Sequence, residues 1–213
     1  MLRVFNTFTS IQGESSFIGF PCFFIRLAGC PLNCVYCDTR FASASSGVDM
    51  SISELVDLSI SSPISLVEVT GGEPLVQKEC IELLRSLANT GKTVLLETSG
   101  AYSILGVDLR VHIIMDIKCP DSKMNEKMIF YNFDLLDRYN YELKFVVSSV
   151  SDFDWATQFI YKRSINHCKV IFSPVLGQVL PSDLASWILS SKINARLQLQ
   201  LHKLIWPLEG IDR

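Results

Sequence analysis

Three cysteines crowd one short stretch, AGCPLNCVYCDT (residues 28–39): Cys30, Cys34 and Cys37, spaced C-x3-C-x2-C. Pro31 and Asn33 interrupt them, which suits a ligand loop better than a packed face. The thiolate is the metal-binding form of cysteine, so the first question is which metal wants three. Structural zinc takes four protein ligands, and Cys22, Cys80, Cys119 and Cys168 are scattered with no second C-x-x-C. A cubane iron–sulfur cluster held by three thiolates leaves one iron open to a small chelating ligand, whereas electron-transfer clusters are usually closed by cysteine. An open iron implies chemistry. A zinc-stabilised binding module is the non-enzymatic alternative.

The other polar residues fall where a site would need them. Short β-branched and aromatic runs read as strands at 23–28, 65–70, 93–98, 111–118, 141–148, 169–175 and 196–202. Helical patterns lie between most of them, at 52–60 (with Ser51 as N-cap), 75–89, roughly 124–138, 152–164 and 182–192. Nearly every strand ends in a small or polar cluster, among them Gly29-Cys30, Thr70-Gly71-Gly72-Glu73, Glu97-Thr98-Ser99-Gly100 and Asp116-Ile117-Lys118. In parallel α/β folds that carboxyl edge carries the active site. Turn chemistry accounts for glycine and serine there, but charged groups inside apolar runs need partners.

Strands alternating with helices predict an α/β fold with parallel pairing. At 213 residues the chain is short for an eight-unit barrel, so a partial, about six-stranded parallel barrel with outer helices is expected, with a doubly wound open sheet as runner-up. One domain over residues 1–213 is expected, comprising a cluster loop at 29–39 and a C-terminal strand and tail at 196–213. The stretch 41–51, FASASSGVDMS, reads as a loop. A net charge of −3 carries no basic surplus for nucleic acid, and no apolar run is long enough to span a membrane. The opening lacks the pattern of a secretory leader. With seven cysteines, that points to reduced thiols in the cytoplasm.

The cysteine loop after a strand, followed by Gly71-Gly72-Glu73-Pro74 after the next, resembles the radical S-adenosylmethionine (SAM) superfamily. In that superfamily the methionine amino and carboxylate groups of SAM chelate the open iron of a [4Fe-4S] cluster. Glycines there let backbone approach the ligand, and Glu73 is expected to accept from the methionine ammonium. The resemblance narrows further and covers nearly the whole chain. FTSIQGESSFIGFPCFFIRLAGCPLNCVYCDT, VTGGEPL, LETSG, MDIKCPDS, ELKFVV, FSPV and QLQLHKLIW are similar to the 7-carboxy-7-deazaguanine synthase (QueE) family.

That resemblance implies a lyase that contracts the ring of 6-carboxy-5,6,7,8-tetrahydropterin to 7-carboxy-7-deazaguanine with loss of ammonia, on the route to queuosine and related deazapurines. It implies a homodimer, a Mg2+ ion and an external, flavodoxin-like electron donor. One electron from the cluster cleaves SAM, and the resulting radical takes a hydrogen from carbon six of the substrate. Carried across by position, Cys30, Cys34 and Cys37 hold the cluster. Tyr36, Cys37, Asp38, Gly72, Asp116, Ile117 and Lys118 line SAM, and Thr39 ligates Mg2+. Ile11, Gln12, Gly13, Arg26 and Thr70 contact substrate, Arg26 through its carboxylate. Glu14 and His202 are further candidates for that pocket, and Glu97 either contacts SAM or closes a turn. Parts of that family end near the HK motif; here WPLEGIDR follows, so no role passes to it. A radical-SAM activase of a glycyl-radical enzyme is the alternative, though it requires neither the IQGE segment nor Arg26 and Thr39 in this arrangement.

Overall fold

A single mixed sheet organises the computed structural model, which describes residues 1–43, 46–165 and 169–206. Its elements in chain order are β1 (Leu2–Ile11), β2 (Pro21–Leu27), α1 (Arg40–Ser43), β3 (Val48–Met50), α2 (Ile52–Ser61), β4 (Leu66–Gly71), α3 (Cys80–Asn89) and β5 (Thr93–Thr98). These are followed by β6 (His112–Ile117), α4 (Tyr131–Leu136), β7 (Asn140–Val147), α5 (Val150–Lys162), β8 (Lys169–Pro174), α6 (Pro181–Ser191), β9 (Ala195–Leu197) and α7 (Leu201–Ile205). The strand order is β3-β1-β2-β4-β5-β6-β7-β8-β9. From β2 onward every neighbour is parallel, while β1 runs antiparallel to both β2 and β3. The order does not return on itself, so the expected partial barrel is borne out, with an antiparallel pair added to its first edge.

Period-two alternation sorts the sheet into two faces. Phe23, Ile25, Val67, Val69, Ile113, Met115, Leu143 and Phe145 pack outward with Leu55, Leu83, Leu87, Phe153, Ala156 and Leu184 of the helices into the main core. Cys22, Phe24, Leu66, Leu95 and Ile114 point inward and form a small second core with Phe8, Phe17 and Ile64. Helices therefore cover one face only, which sets aside the doubly wound sheet. The inner cluster forms an apolar floor; the next inward residues along the same strands, Arg26, Glu68, Glu97 and Asp116, together with Lys144 of β7, are buried or half-buried polar groups.

Several local expectations are corrected. β1 was not among the expected strands, because LRVFNTFTSI mixes threonine, serine and asparagine into its alternation. The 196–202 run is strand only to Leu197; its Gln-Leu-Gln pattern peels off the sheet and turns into α7. The 41–51 stretch, expected as a loop, holds the last three residues of α1 and all of β3. The 75–89 pattern is a 3-10 turn at Pro74–Val76 and then α3, and the 124–138 pattern shrinks to α4 after a 3-10 turn. Ser51 caps α2 as expected, with Glu54 completing a capping box. Among the described residues no helix is long and apolar enough to cross a membrane. His167, Cys168 and the tail from Pro207 lie outside the described residues.

The open side of the barrel is spanned by side chains rather than by a sheet ladder. Gln198 donates to the Ser15 carbonyl at 2.8 Å and accepts from the Ser15 amide at 2.7 Å. The fully buried Glu142 accepts from the Ser16 amide at 2.8 Å and from Arg196 at 2.8 Å, and pairs with His112 at 3.3 Å. Burial alone would raise the Glu142 carboxyl, but His112, Ser16 and Arg196 outweigh it and hold it down at about 2. These contacts fix the Ile11–Glu14 segment over the barrel mouth.

Candidate functional site

The cysteine loop and the Gly-Gly loop are joined backbone to backbone at the carboxyl edge. The Gly72 amide donates to Leu27 O at 3.2 Å and the Glu73 amide to Gly29 O at 2.9 Å. A Cβ on Gly71 would lie 2.1 Å from Leu27 O, and one on Gly72 would lie 2.4 Å from Gly29 O and 2.7 Å from the Cys30 Cβ. The glycines thus let two loops meet, a closer constraint than ligand access alone. Tyr36 ties the cysteine loop to the end of β7 through Val146 O at 3.1 Å. Arg40 clamps it through the carbonyls of Cys34 and Val35, at 3.2 and 2.7 Å.

Behind this junction lies a cavity of about 210 Å³. All the residues expected from the sequence line it except Ile117 and Glu73. Ile117 points outward into the helix-packed core with no exposure, so its side chain cannot reach SAM and only its backbone is available. Arg26 projects into the cavity with its guanidinium 4.7 Å from the Phe8 ring and 5.3 Å from the Phe41 ring, an aromatic cradle that fixes its direction. Gln12 spends its side-chain amide inside the protein, donating to Glu68 and accepting from the Glu14 amide. It acts as a strut between the Glu68 carboxylate and the Glu14 backbone.

Glu73 does not do what the motif suggested. It is fully buried and absent from the cavity wall. Its oxygens accept from the Thr98 hydroxyl at 2.8 Å, the Ser99 amide at 2.7 Å, the Ser99 hydroxyl at 2.5 Å and the Leu75 amide at 3.0 Å. It bolts the Gly-Gly loop to the end of β5.

Lys144 was missed. The residue is 4% exposed, and its ammonium donates to Glu14 at 2.6 Å and Glu97 at 2.5 Å, with Asp116 at 3.7 Å. Burial works against that charge, but Glu14, Glu97 and Asp116 outweigh it and hold the ammonium well above the usual lysine range. Burial pushes Glu14 up and Lys144 pulls it below its ordinary value; burial prevails at Glu97, which is raised. Glu68, buried beside Glu97, is raised well above the carboxylate range by desolvation and that neighbouring charge. The signal for both was a charge inside an apolar run, in YELKFVVS and SLVEVT.

The C-terminal segment closes the mouth. Leu201 N donates to Gly13 O at 3.0 Å, Gln200 to Glu14 at 2.7 Å and Lys203 to Asp38 at 2.6 Å. Partial desolvation at the mouth would raise the half-exposed Asp38 carboxyl, but Lys203 outweighs it and holds it down at about 2. His202 sits so close over Gly13 that a Cβ there would come 2.2 Å from its Nδ1. Burial lowers the His202 imidazole below its ordinary value.

The donor set fits an iron–sulfur cluster with an open corner. Three thiols from one loop face one cavity. Three thiolates hold a cubane with one iron left open, whereas structural zinc takes four protein ligands. Asp116 Oδ1, buried in the cavity wall without a hydrogen-bond partner, suits a ligand that donates to it.

Residues 24–109 match the model of the radical SAM superfamily. The chain is 45% identical to a 7-carboxy-7-deazaguanine synthase of Chlorobaculum tepidum over 96% of its length and 94% of that protein. It is 41% identical to one of Methanospirillum hungatei, over 96% of this chain and 85% of that one. Among solved structures, QueE from Escherichia coli superposes with a TM-score of 0.75 at 22% identity, covering 94% of each chain, a likeness of fold.

Proposed function

Because the chain belongs to the 7-carboxy-7-deazaguanine synthase family of radical SAM enzymes, we propose that it contracts the ring of 6-carboxy-5,6,7,8-tetrahydropterin to 7-carboxy-7-deazaguanine. The observation that carries this reading is the cavity itself. Three thiols stand at one end, and Arg26 and a set of buried carboxylates line the rest. A carboxylated, donor-rich heterocycle matches that lining: the guanidinium suits its carboxylate, and Glu14 and Glu97 suit its N–H groups.

The cluster and SAM, when bound, supply the radical chemistry; the protein binds, orients and excludes water. Cys30, Cys34 and Cys37 would hold the cluster. Tyr36, Cys37, Asp38, Gly72, Asp116, Lys118 and the Ile117 backbone would hold SAM. Burial disfavours the Lys118 ammonium, but Asp116, 2.9 Å away, and the Cys34 side chain outweigh it, so the group is raised and stays charged beside the SAM pocket. Ile11, Gln12, Gly13, Thr70, Glu14 and His202 would frame the pterin, with α7 and the Lys203–Asp38 pair closing it from water. Thr39, half-buried with its hydroxyl 3.7 Å from Cys37 Sγ, would give Mg2+ one oxygen, the substrate and water completing the shell. A single domain acting as a homodimer in the cytoplasm, reduced by a flavodoxin-like donor, completes the reading.

Anaerobic turnover of the reconstituted protein with SAM, dithionite, Mg2+ and the carboxypterin is expected to yield 7-carboxy-7-deazaguanine by mass. Unchanged pterin under those conditions would overturn the assignment. Arg26→Ala is expected to keep the cluster absorbance and weaken carboxypterin binding at least tenfold, as calorimetry would read, since a charge-assisted fork is lost (roughly 1.5–3 kcal/mol). Unchanged affinity would remove Arg26 from the substrate pocket.

A further inference from the structure

Lys144 brings together two halves of the cavity that are otherwise separate. Its carboxylate partners come from three segments: Glu14 after β1, Glu97 at the end of β5, and Asp116 in β6, its register neighbour. Each of these continues outward. Glu14 accepts from Gln200 of the closing segment at 2.7 Å. Glu97 accepts from the Thr70 hydroxyl at 3.3 Å. Asp116 holds Lys118 at 2.9 Å. One ammonium therefore connects the residues assigned to the pterin with those assigned to SAM, and without it three acidic groups would face one another in a buried space.

We propose that Lys144 is the positioning residue that registers the pterin against SAM, holding Glu14 and Glu97 on the substrate side and Asp116 on the SAM side in one fixed geometry. This rests on the proposed function. A displacement of about 1 Å between reacting partners costs on the order of a hundredfold in rate, so losing the register both loosens the substrate half and uncouples it from SAM cleavage where both halves are filled.

The test compares Lys144→Met with the unsubstituted protein, both reconstituted anaerobically. Iron and sulfide content, the change in the electron paramagnetic resonance spectrum on adding SAM, and the melting temperature report the fold and the SAM half. Calorimetric titration with the carboxypterin reports the substrate half. The ratio of 5′-deoxyadenosine released to deazaguanine formed reports their register. Expected are a retained cluster and SAM response, carboxypterin affinity down at least tenfold, and a ratio up at least tenfold.

An unchanged affinity and ratio would overturn the inference, as would joint loss of cluster, SAM response and melting temperature, which marks a general structural role. Should Lys144→Met not fold, Lys144→Arg decides, because it keeps the charge but spreads it over a planar fork. A raised ratio supports the inference, and an unsubstituted ratio overturns it. An unsubstituted protein that neither binds the carboxypterin nor forms deazapurine overturns the proposed function, and this inference with it.

Discussion

The Cys34→Ala protein is expected to purify without the brown absorbance of the reconstituted parent and to release no detectable 5′-deoxyadenosine from SAM. Cys34 is the buried member of the triad, facing the cavity between Cys30 and Cys37. The loop that carries it is held independently of any metal by Tyr36, by Arg40 and by backbone bonds to Gly72 and Glu73. Substitution therefore removes a ligand without unfolding the loop. Two thiols cannot retain the cubane in the form that keeps one iron open, so the loss is total rather than graded. Iron analysis, absorbance and chromatography of the SAM reaction check it. A variant that kept both colour and SAM cleavage would remove the cysteine loop from the chemistry.

Glu73→Ala is expected to act on stability instead. The substitution leaves the Thr98 hydroxyl, both Ser99 donors and the Leu75 amide without their acceptor in a fully buried place. Unsatisfied buried groups cost about 1–3 kcal/mol each and do not add fully, so a loss of about 3 kcal/mol or more is expected. For a chain of this size that lowers the melting temperature by roughly 6–12 °C. Thermal unfolding followed by circular dichroism measures it. Had Glu73 been the acceptor for the methionine ammonium, the melting temperature would scarcely move and SAM affinity alone would fall.

What was legible in the sequence was local and chemical. Cysteine spacing, paired glycines and a charged residue at the end of an apolar run are read from a few neighbours, and those residues do meet at one cavity. What was not legible depended on direction and on distant partners. Ile117 and Asp116 are adjacent in sequence but lie on opposite faces of β6, so a motif that names both overstates one. Glu73 reads as a ligand residue until Thr98 and Ser99, a whole strand later, are seen to occupy its oxygens.

Lys144 shows the converse. Its charge inside ELKFVV marked it as paired, yet its partners lie 130, 47 and 28 residues away and no local pattern gathers them. The C-terminal QLQLH run was misread because alternation alone looks like a strand. The Gln198 amide still reaches β8 at Phe172 O, but the Gln198 and Gln200 side chains turn to Ser15 and Glu14, and the ladder goes no further. Likewise β1 is hard to read because Asn6, Thr7, Thr9 and Ser10 interrupt its apolar residues, while Phe8 and Ile11 are the β1 side chains that line the cavity.

The proposed chemistry depends on the cysteine loop leaving one iron unligated by protein, where SAM can dock. Electron paramagnetic resonance of the reduced, reconstituted protein, recorded with and without SAM carrying nitrogen-15 in its amino group, measures this directly. The expected result is a cubane signal that shifts on addition of SAM and acquires hyperfine coupling to that nitrogen. A signal identical in both samples, or a colourless protein with stoichiometric zinc and no sulfide, would contradict the account.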